Sequence, residues 1–212
     1  MAPSFDAAAR RLGVASGATV AALSVVYAGA LAMGLLALDS PEEPIGPPIL
    51  TVMEVLILAL APALVALMAA VHAWAGRSAM TAAALVFTGV LAGVTSAVHF
   101  LVLTLGHEAA FLAFTWPSAA YALDILAWDV FFPLAVLFAA PAFRGAGLPR
   151  AIRRLLVASG VLAFAGLGGV AVGDMRVRNV GILGYVGIFP IAAAAMALMF
   201  YRTPARGVTP PP

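Results

Sequence analysis

The feature that most constrains the fold is the length of the apolar stretches in this chain. Six stretches of more than 20 residues are separated only by short polar connections. About 20 apolar residues in helical form cross the roughly 30 Å hydrocarbon core of a bilayer. The predicted fold is therefore all-α, a polytopic bundle of six transmembrane helices over residues 12–38, 49–75, 79–106, 119–141, 151–172 and 180–201.

The composition supports this fold class and excludes several functions. Hydrophobic residues make up 64% of the 212 residues and charged residues only 9%, whereas a soluble domain has about 25% charged residues. The chain has no cysteine, which excludes disulfides and cysteine nucleophiles. It also lacks a basic soluble surface, so nucleic acid is not an expected partner. The expected partners are membrane lipids and a hydrophobic small-molecule substrate.

The chain is predicted to form one domain, residues 1–203, followed by a disordered proline-rich cytoplasmic tail, residues 204–212. The first apolar stretch is longer than the 7–15 residues of a signal-peptide core, so it is predicted to stay as the first span. Basic residues gather on the cytoplasmic side of bacterial membrane proteins. Only Arg176 and Arg178 fall on one side of the six-span topology, so the predicted orientation is N-in/C-in. The other side carries nine arginines: Arg10, Arg11, Arg77, Arg144, Arg150, Arg153, Arg154, Arg202 and Arg206.

Four ionisable residues interrupt the apolar stretches and are the candidate catalytic residues: Glu54, His99, Asp124 and Asp129. An ionisable group inside a membrane is costly, and it is usually kept because it faces a cavity or a partner. At 1.5 Å of rise per helical residue, the first three lie roughly 7–10 Å below the outer end of the bundle. The fourth lies deeper, near the bilayer centre. A polar pocket is therefore predicted in the outer half.

Helical periodicity assigns different surroundings to the two aspartates. Tyr121, Asp124 and Trp128 share one face of an α-helix, whereas Asp129 is turned about 140° from Asp124. The two carboxylates are therefore predicted not to share one narrow groove. Asp124 is expected in the cavity and Asp129 against a neighbouring helix. The candidate substrate-binding residues are Trp128, Tyr121, Trp116, Arg176, Arg178, Asn179 and Asp174.

Several chemistries fit this cluster. The favoured one is acid–base catalysis, a cyclisation or isomerisation, on a lipid-like or isoprenoid substrate, because a carboxylic acid in a dry site can stay protonated and aromatic walls can stabilise a carbocation. The alternatives are a proton-coupled transporter of small solutes and a non-catalytic structural or regulatory membrane protein. A mononuclear metal site of Glu54, His99 and Asp124 is less well supported, since no helical metal-binding motif is present, and no cofactor is predicted. Arg176 and Arg178 are expected to pair with carboxylates or to bind an anionic ligand.

Two segments carry a family resemblance. WPSAAYALDILAWDVFFPLAVLFAAPAF (116–143) and GDMRVRNVGILGYVGIFP (173–190), together with SAVHFLVLT (96–104), resemble a family of small bacterial multispan integral membrane proteins with a domain of unknown function. The resemblance implies a multi-pass protein of the bacterial cytoplasmic (inner) membrane. It implies no catalytic residue.

Overall fold

The fold is an all-helical bundle in the described part of the chain. The computed structural model describes residues 6–40, 43–106 and 109–204, which contain helices, turns and loops but no strand. Within these ranges six helices are long and apolar enough to cross a membrane, which agrees with the six helices predicted. They are α1 (Ala7–Leu36), α2 (Ile49–Trp74), α3 (Ala79–Leu105), α4 (Ala119–Ala142), α5 (Leu148–Val172) and α6 (Met175–Arg202). All but the first residue of the predicted disordered tail lies outside the described residues.

The fourth helix contains a π-helical turn. It is α-helical over Ala119–Ile125 and Phe132–Ala139, with the π-helical turn Leu126–Phe131 between these parts. The amide of Phe132 donates to the carbonyl of Ala127, five residues earlier, which is the π-helical hydrogen bond. A proline follows at position 133, and its missing N–H prevents the regular hydrogen bond of an α-helix at this place.

The sixth helix repeats this arrangement. Its π-helical turn Leu183–Ile188 lies between α-helical parts Met175–Ile182 and Phe189–Arg202, and the dipeptide Phe189–Pro190 follows it. Phe189 packs edge-on against Phe132, with ring centroids 5.0 Å apart. Both helices therefore pass the middle of the bundle with the same irregular turn.

Glycines bring α5 and α6 close together. A Cβ atom on Gly169 would lie 2.5 Å from the backbone nitrogen of Arg178, and one on Gly184 would lie 2.5 Å from the carbonyl oxygen of Ser159. A hydrogen bond joins the two helices at the same place, since Ser159 Oγ donates to the carbonyl of Gly184 over 2.9 Å. Small residues of this kind let membrane helices pack backbone to backbone.

The first helix packs closely on α6 at one end only. A Cβ on Gly17 would lie 3.0 Å from the carbonyl oxygen of Ala193, and Gly13 lies directly under the ring of Phe200. These contacts hold α1 against the Phe189–Arg202 part of α6, and α1 also packs along α2. It makes hardly any close backbone approach to Met175–Ile182. Since α1 and α6 separate towards that end, they leave room for a cavity.

The opposite end of the bundle is filled by apolar side chains. Leu67, Val71, Phe143 and Phe200 are each at most 1% exposed, and Trp74 stacks on Phe143 with ring centroids 5.2 Å apart. Both ends of the described chain meet here. Arg10 donates to the backbone carbonyls of Phe200 and Tyr201 over 3.1 and 2.7 Å, which satisfies carbonyls at the end of α6.

Candidate functional site

A cavity of about 770 Å³ opens at the end of the bundle where α1 and α6 separate. Its mouth includes Glu43, Trp116 and Asp174, and its floor includes Leu64 and Phe189. The wall from α1 and α2 is mainly aliphatic, whereas α3, α4 and α6 contribute most of the polar and aromatic groups. Ten predicted site residues line the cavity: Glu54, His99, Asp124, Trp128, Tyr121, Trp116, Arg176, Arg178, Asn179 and Asp174.

His99 is oriented by Glu54. Nδ1 of the imidazole lies 2.6 Å from Oε2 of Glu54, and both side chains are buried. The ring also stacks on Phe114, with centroids 5.4 Å apart and planes within 13° of parallel. An imidazole N–H donates to a carboxylate, so this contact places the hydrogen on Nδ1. The other ring nitrogen, Nε2, is buried and is directed at Asp124.

The free nitrogen of His99 lies beside Asp124. Nε2 is 3.4 Å from Oδ1 of Asp124, a distance at which the two atoms are close but form no hydrogen bond with acceptable geometry. Nε2 has no other hydrogen-bond partner among the described residues. Because one buried nitrogen and one carboxylate oxygen meet at the cavity wall, this pair is the point where a proton can be given to or taken from a bound molecule.

Arg178 joins the two aspartates. Its Nη2 atom donates to Oδ2 of Asp124 over 3.1 Å, and its Nε atom donates to Oδ2 of Asp129 over 2.8 Å. The guanidinium carbon also lies 4.8 Å from the ring centroid of Tyr121, in a cation–π arrangement. Of the two interpretations that the sequence left open for this arginine, pairing with carboxylates is therefore the one observed.

The π-helical turn explains why the two aspartates contact one guanidinium. The predicted separation of about 140° assumed 3.6 residues per turn throughout α4, and the π-helical turn departs from that value. In the π-helical turn Leu126–Phe131 the hydrogen bond spans five residues, so positions five apart lie nearly above each other. The expected division of roles is nevertheless observed. Asp124 lines the cavity, whereas Asp129 does not line it and pairs with α6.

Asp129 lies in a pocket made by glycines. Its Oδ1 atom would lie 2.6 Å from a Cβ on Gly181 and 3.1 Å from one on Gly166, and it has no hydrogen-bond partner among the described residues. The side chain is fully buried. Because Gly166 and Gly181 have no Cβ atom, the carboxylate of Asp129 has the space to reach Arg178.

The geometry does not favour the mononuclear metal site. Glu54 and Asp124 contact opposite nitrogens of the His99 ring, so the three ligands do not converge on one point. In the ranges that the structure describes, no group of three histidine or carboxylate residues is arranged to hold a metal ion.

Two tyrosines in the cavity were not predicted from the sequence. Tyr27 of α1 and Tyr185 of α6 line it, and the ring of Tyr185 lies 5.3 Å from that of Trp128. Trp128 is itself fixed by a hydrogen bond from Nε1 to Oγ1 of Thr95 over 3.1 Å. The chain has only four tyrosines, and three of them line this cavity. The small number of tyrosines was therefore the sequence signal that could have indicated Tyr27 and Tyr185.

The remaining predicted residues lie at the mouth. Asp174 caps the beginning of α6, where its Oδ1 atom accepts the backbone N–H of Arg176 over 2.8 Å. Trp116 packs against Tyr121, with ring centroids 6.3 Å apart. Asn179 is exposed one turn further along α6. These residues surround the entrance and do not contact the Glu54–His99 pair.

Comparison of the chain with protein-family models, with curated proteins and with solved structures found no significant match. The family resemblance of residues 116–143 and 173–190 therefore stays a prediction.

Proposed function

We propose that the protein is a multi-pass membrane protein that binds one lipid-like or isoprenoid-like molecule in this cavity and catalyses its cyclisation or isomerisation by proton transfer. The observation that carries the proposal is the arrangement of Glu54, His99 and Asp124. A carboxylate orients a buried imidazole, and the free imidazole nitrogen meets a second carboxylate at the wall of an amphipathic cavity. A cavity of about 770 Å³ is in the range that holds one small organic ligand.

The proposed step needs no cofactor. His99 as an imidazolium passes its Nε2 proton to Asp124, which gives it to one carbon of a substrate alkene, and the neighbouring carbon becomes a cation. The Asp124 carboxylate then removes a proton from a carbon next to that cation and returns it to His99, so a double bond forms at a new position and the atoms balance. Glu54 orients the imidazole and stabilises its charged form. The rings of Trp128 and Tyr185 stabilise the cation while it exists.

A proton-coupled transporter is the alternative. Buried carboxylates serve transporters too, but alternating access needs a route to both sides of the membrane. The packed apolar end around Leu67, Val71 and Phe143 favours a cavity that is closed at its base. A structural role is a third possibility. It accounts for the Arg178–Asp129 pair but not for a cavity of about 770 Å³ with the carboxylate of Asp124 at its wall.

The proposal places both termini in the cytoplasm and the cavity mouth at the outer face of the bacterial inner membrane. The arginine distribution supports it, with Arg176 and Arg178 as exceptions. Two aspartates neutralise Arg178 in the interior, so this arginine counts little against the proposed orientation.

The test is untargeted lipid analysis of membranes that contain the wild-type protein, Asp124→Asn or His99→Gln. The rate of the proton-transfer step should fall about 10²–10⁴-fold in either variant, and the substrate lipid should accumulate as a result. Asp39→Asn is the matched control, because Asp39 is an exposed carboxylate outside the cavity. Protein amounts are equalised by immunoblot. Identical lipid profiles for wild type and Asp124→Asn would overturn the proposal of catalysis.

A further inference from the structure

The polar centre of the cavity carries more negative than positive groups. Three carboxylates, Glu54, Asp124 and Asp129, are connected through one guanidinium and one imidazole. Even when the imidazole of His99 is protonated, one carboxylate charge is left over. Burial makes an uncompensated charge costly, so a bound molecule that adds another negative charge is disfavoured here.

The arginine of this cluster is not available to an anionic ligand. Both donor edges that Arg178 uses are directed at aspartates, and one face of its guanidinium lies against the ring of Tyr121. Its positive charge is therefore already matched inside the protein. A phosphate or carboxylate head group would have to displace Asp124 or Asp129 to bind it.

The acceptor that a bound molecule can reach in this cavity is the carboxylate of Asp124. Its side chain lines the cavity and is 13% exposed. Its Oδ2 atom accepts from Arg178, whereas its Oδ1 atom lies 3.4 Å from Nε2 of His99, which is buried and out of reach of a ligand. An N–H or O–H group of a bound molecule can therefore donate to Oδ1 of Asp124.

The rest of the cavity fits a single apolar chain. Below the polar centre, α2 presents Ile57, Leu60 and Leu64 to the cavity, and α6 adds Phe189. Glu54 and Leu64 are ten residues apart on one helix, which is roughly 15 Å of apolar wall. Tyr27, Tyr185 and Trp128 complete this wall with aromatic rings, which suit an apolar or a positively charged group.

From these observations we infer that the cavity binds a single-chain amphiphile whose polar end donates a hydrogen bond and carries no negative charge, a hydroxyl or an ammonium group. Amphiphiles with phosphate or carboxylate head groups are rejected. The inference rests on the proposed function in treating the cavity as a ligand site, and it adds which head group the site accepts.

The experiment compares four probes with the same chain, brominated near its end: a dodecyl alcohol, amine, carboxylate and phosphate. Each is titrated into the purified protein in a neutral detergent, and quenching of tryptophan fluorescence gives the apparent Kd, since Trp128 and Trp116 line the cavity. We expect the alcohol or the amine to bind at least about tenfold more tightly than both anionic probes. The relative affinity of the alcohol and the amine identifies the preferred donor.

Asp124→Asn tests whether the polar centre causes this discrimination. The variant should reduce the difference between amine and carboxylate to less than about threefold, whereas Asp39→Asn should retain it. Anionic probes that bind the wild type as tightly as the alcohol and the amine would overturn the inference, and so would full discrimination in a folded Asp124→Asn protein. If this variant does not fold, the wild-type comparison decides alone. Binding is measured without catalysis, so an unchanged lipid profile contradicts the proposed reaction and leaves this inference standing.

Discussion

The Nε–H group of Arg178 donates to the Oδ2 atom of Asp129 over 2.8 Å, and both side chains are buried in the bundle. Removal of one partner from a buried ion pair leaves the other charge without compensation, which costs about 3–5 kcal/mol. We therefore expect Arg178→Ala to lower the melting temperature of the purified protein strongly. The measurement is thermal unfolding in detergent, followed by size-exclusion chromatography.

Arg150→Ala is the control for this prediction, because Arg150 is exposed at the beginning of α5. Its melting temperature should stay close to that of the wild type, since exposed charges contribute about 0–1 kcal/mol. Equal melting temperatures for Arg178→Ala and Arg150→Ala would show that the pair with Asp129 does not stabilise the fold.

Gly181→Ala should disturb the same ion pair by steric contact alone. The added methyl group would lie 2.6 Å from Oδ1 of Asp129, so the carboxylate or the helix has to move. We expect a loss of about 1–3 kcal/mol in stability, as for other overpacked positions. Gly187→Ala on the same helix is the control, because a Cβ there meets nothing within 4 Å. A Gly181→Ala protein as stable as Gly187→Ala would contradict the close packing around Asp129.

Leu64→Trp should shorten the chain that the cavity accepts. Leu64 lies at the floor, and the larger ring takes space from the end of a bound chain. We expect the preferred chain to be shorter by about two carbons, with a loss of about 0.8 kcal/mol for each methylene left unburied. The measurement is the affinity of an alkanol series. Leu101→Phe on the exposed face of α3 should leave the preference unchanged, and an equal change in both variants would place the chain elsewhere.

The orientation can be tested with single cysteines, because the chain has no cysteine of its own. Ala110 and Ala146 are exposed in connections at opposite ends of the bundle. In intact cells, a membrane-impermeant thiol reagent should label Ala110→Cys, whereas Ala146→Cys should be labelled only after permeabilisation. The reverse pattern would invert the proposed N-in/C-in topology.

Much of the fold and of the candidate site was predictable from the sequence, for two physical reasons. The thickness of the bilayer sets the length of a span, so apolar length alone predicted the six helices. Charges are costly in an apolar bundle, so Glu54, His99 and Asp124 were conspicuous, and the structure places all three at one cavity. Tyr27 and Tyr185 were missed, because a tyrosine in an apolar helix is ordinary and attracts no such attention.

The shared contact of Asp124 and Asp129 with Arg178 was not predictable by periodicity. A helical projection assumes one turn size, and the turn Leu126–Phe131 departs from it. The dipeptide Phe132–Pro133 indicates a local irregularity, but its form depends on how α4 packs against its neighbours. The direction of Arg178 was likewise left open, since a residue near a helix end can face either solvent or the interior.

The π-helical turn in α4 also has a consequence for how this chain can change in length. A π-helical turn is equivalent to one residue inserted into an α-helix and absorbed locally. Deletion of Ala127, between the two aspartates, would therefore allow a regular α-helix in which Asp129 follows Asp124 by four residues and still lies one turn from it. In a regular membrane helix such a deletion would rotate every following side chain by about 100°. At this one place, a gain or loss of a residue can leave the facing side chains where they are.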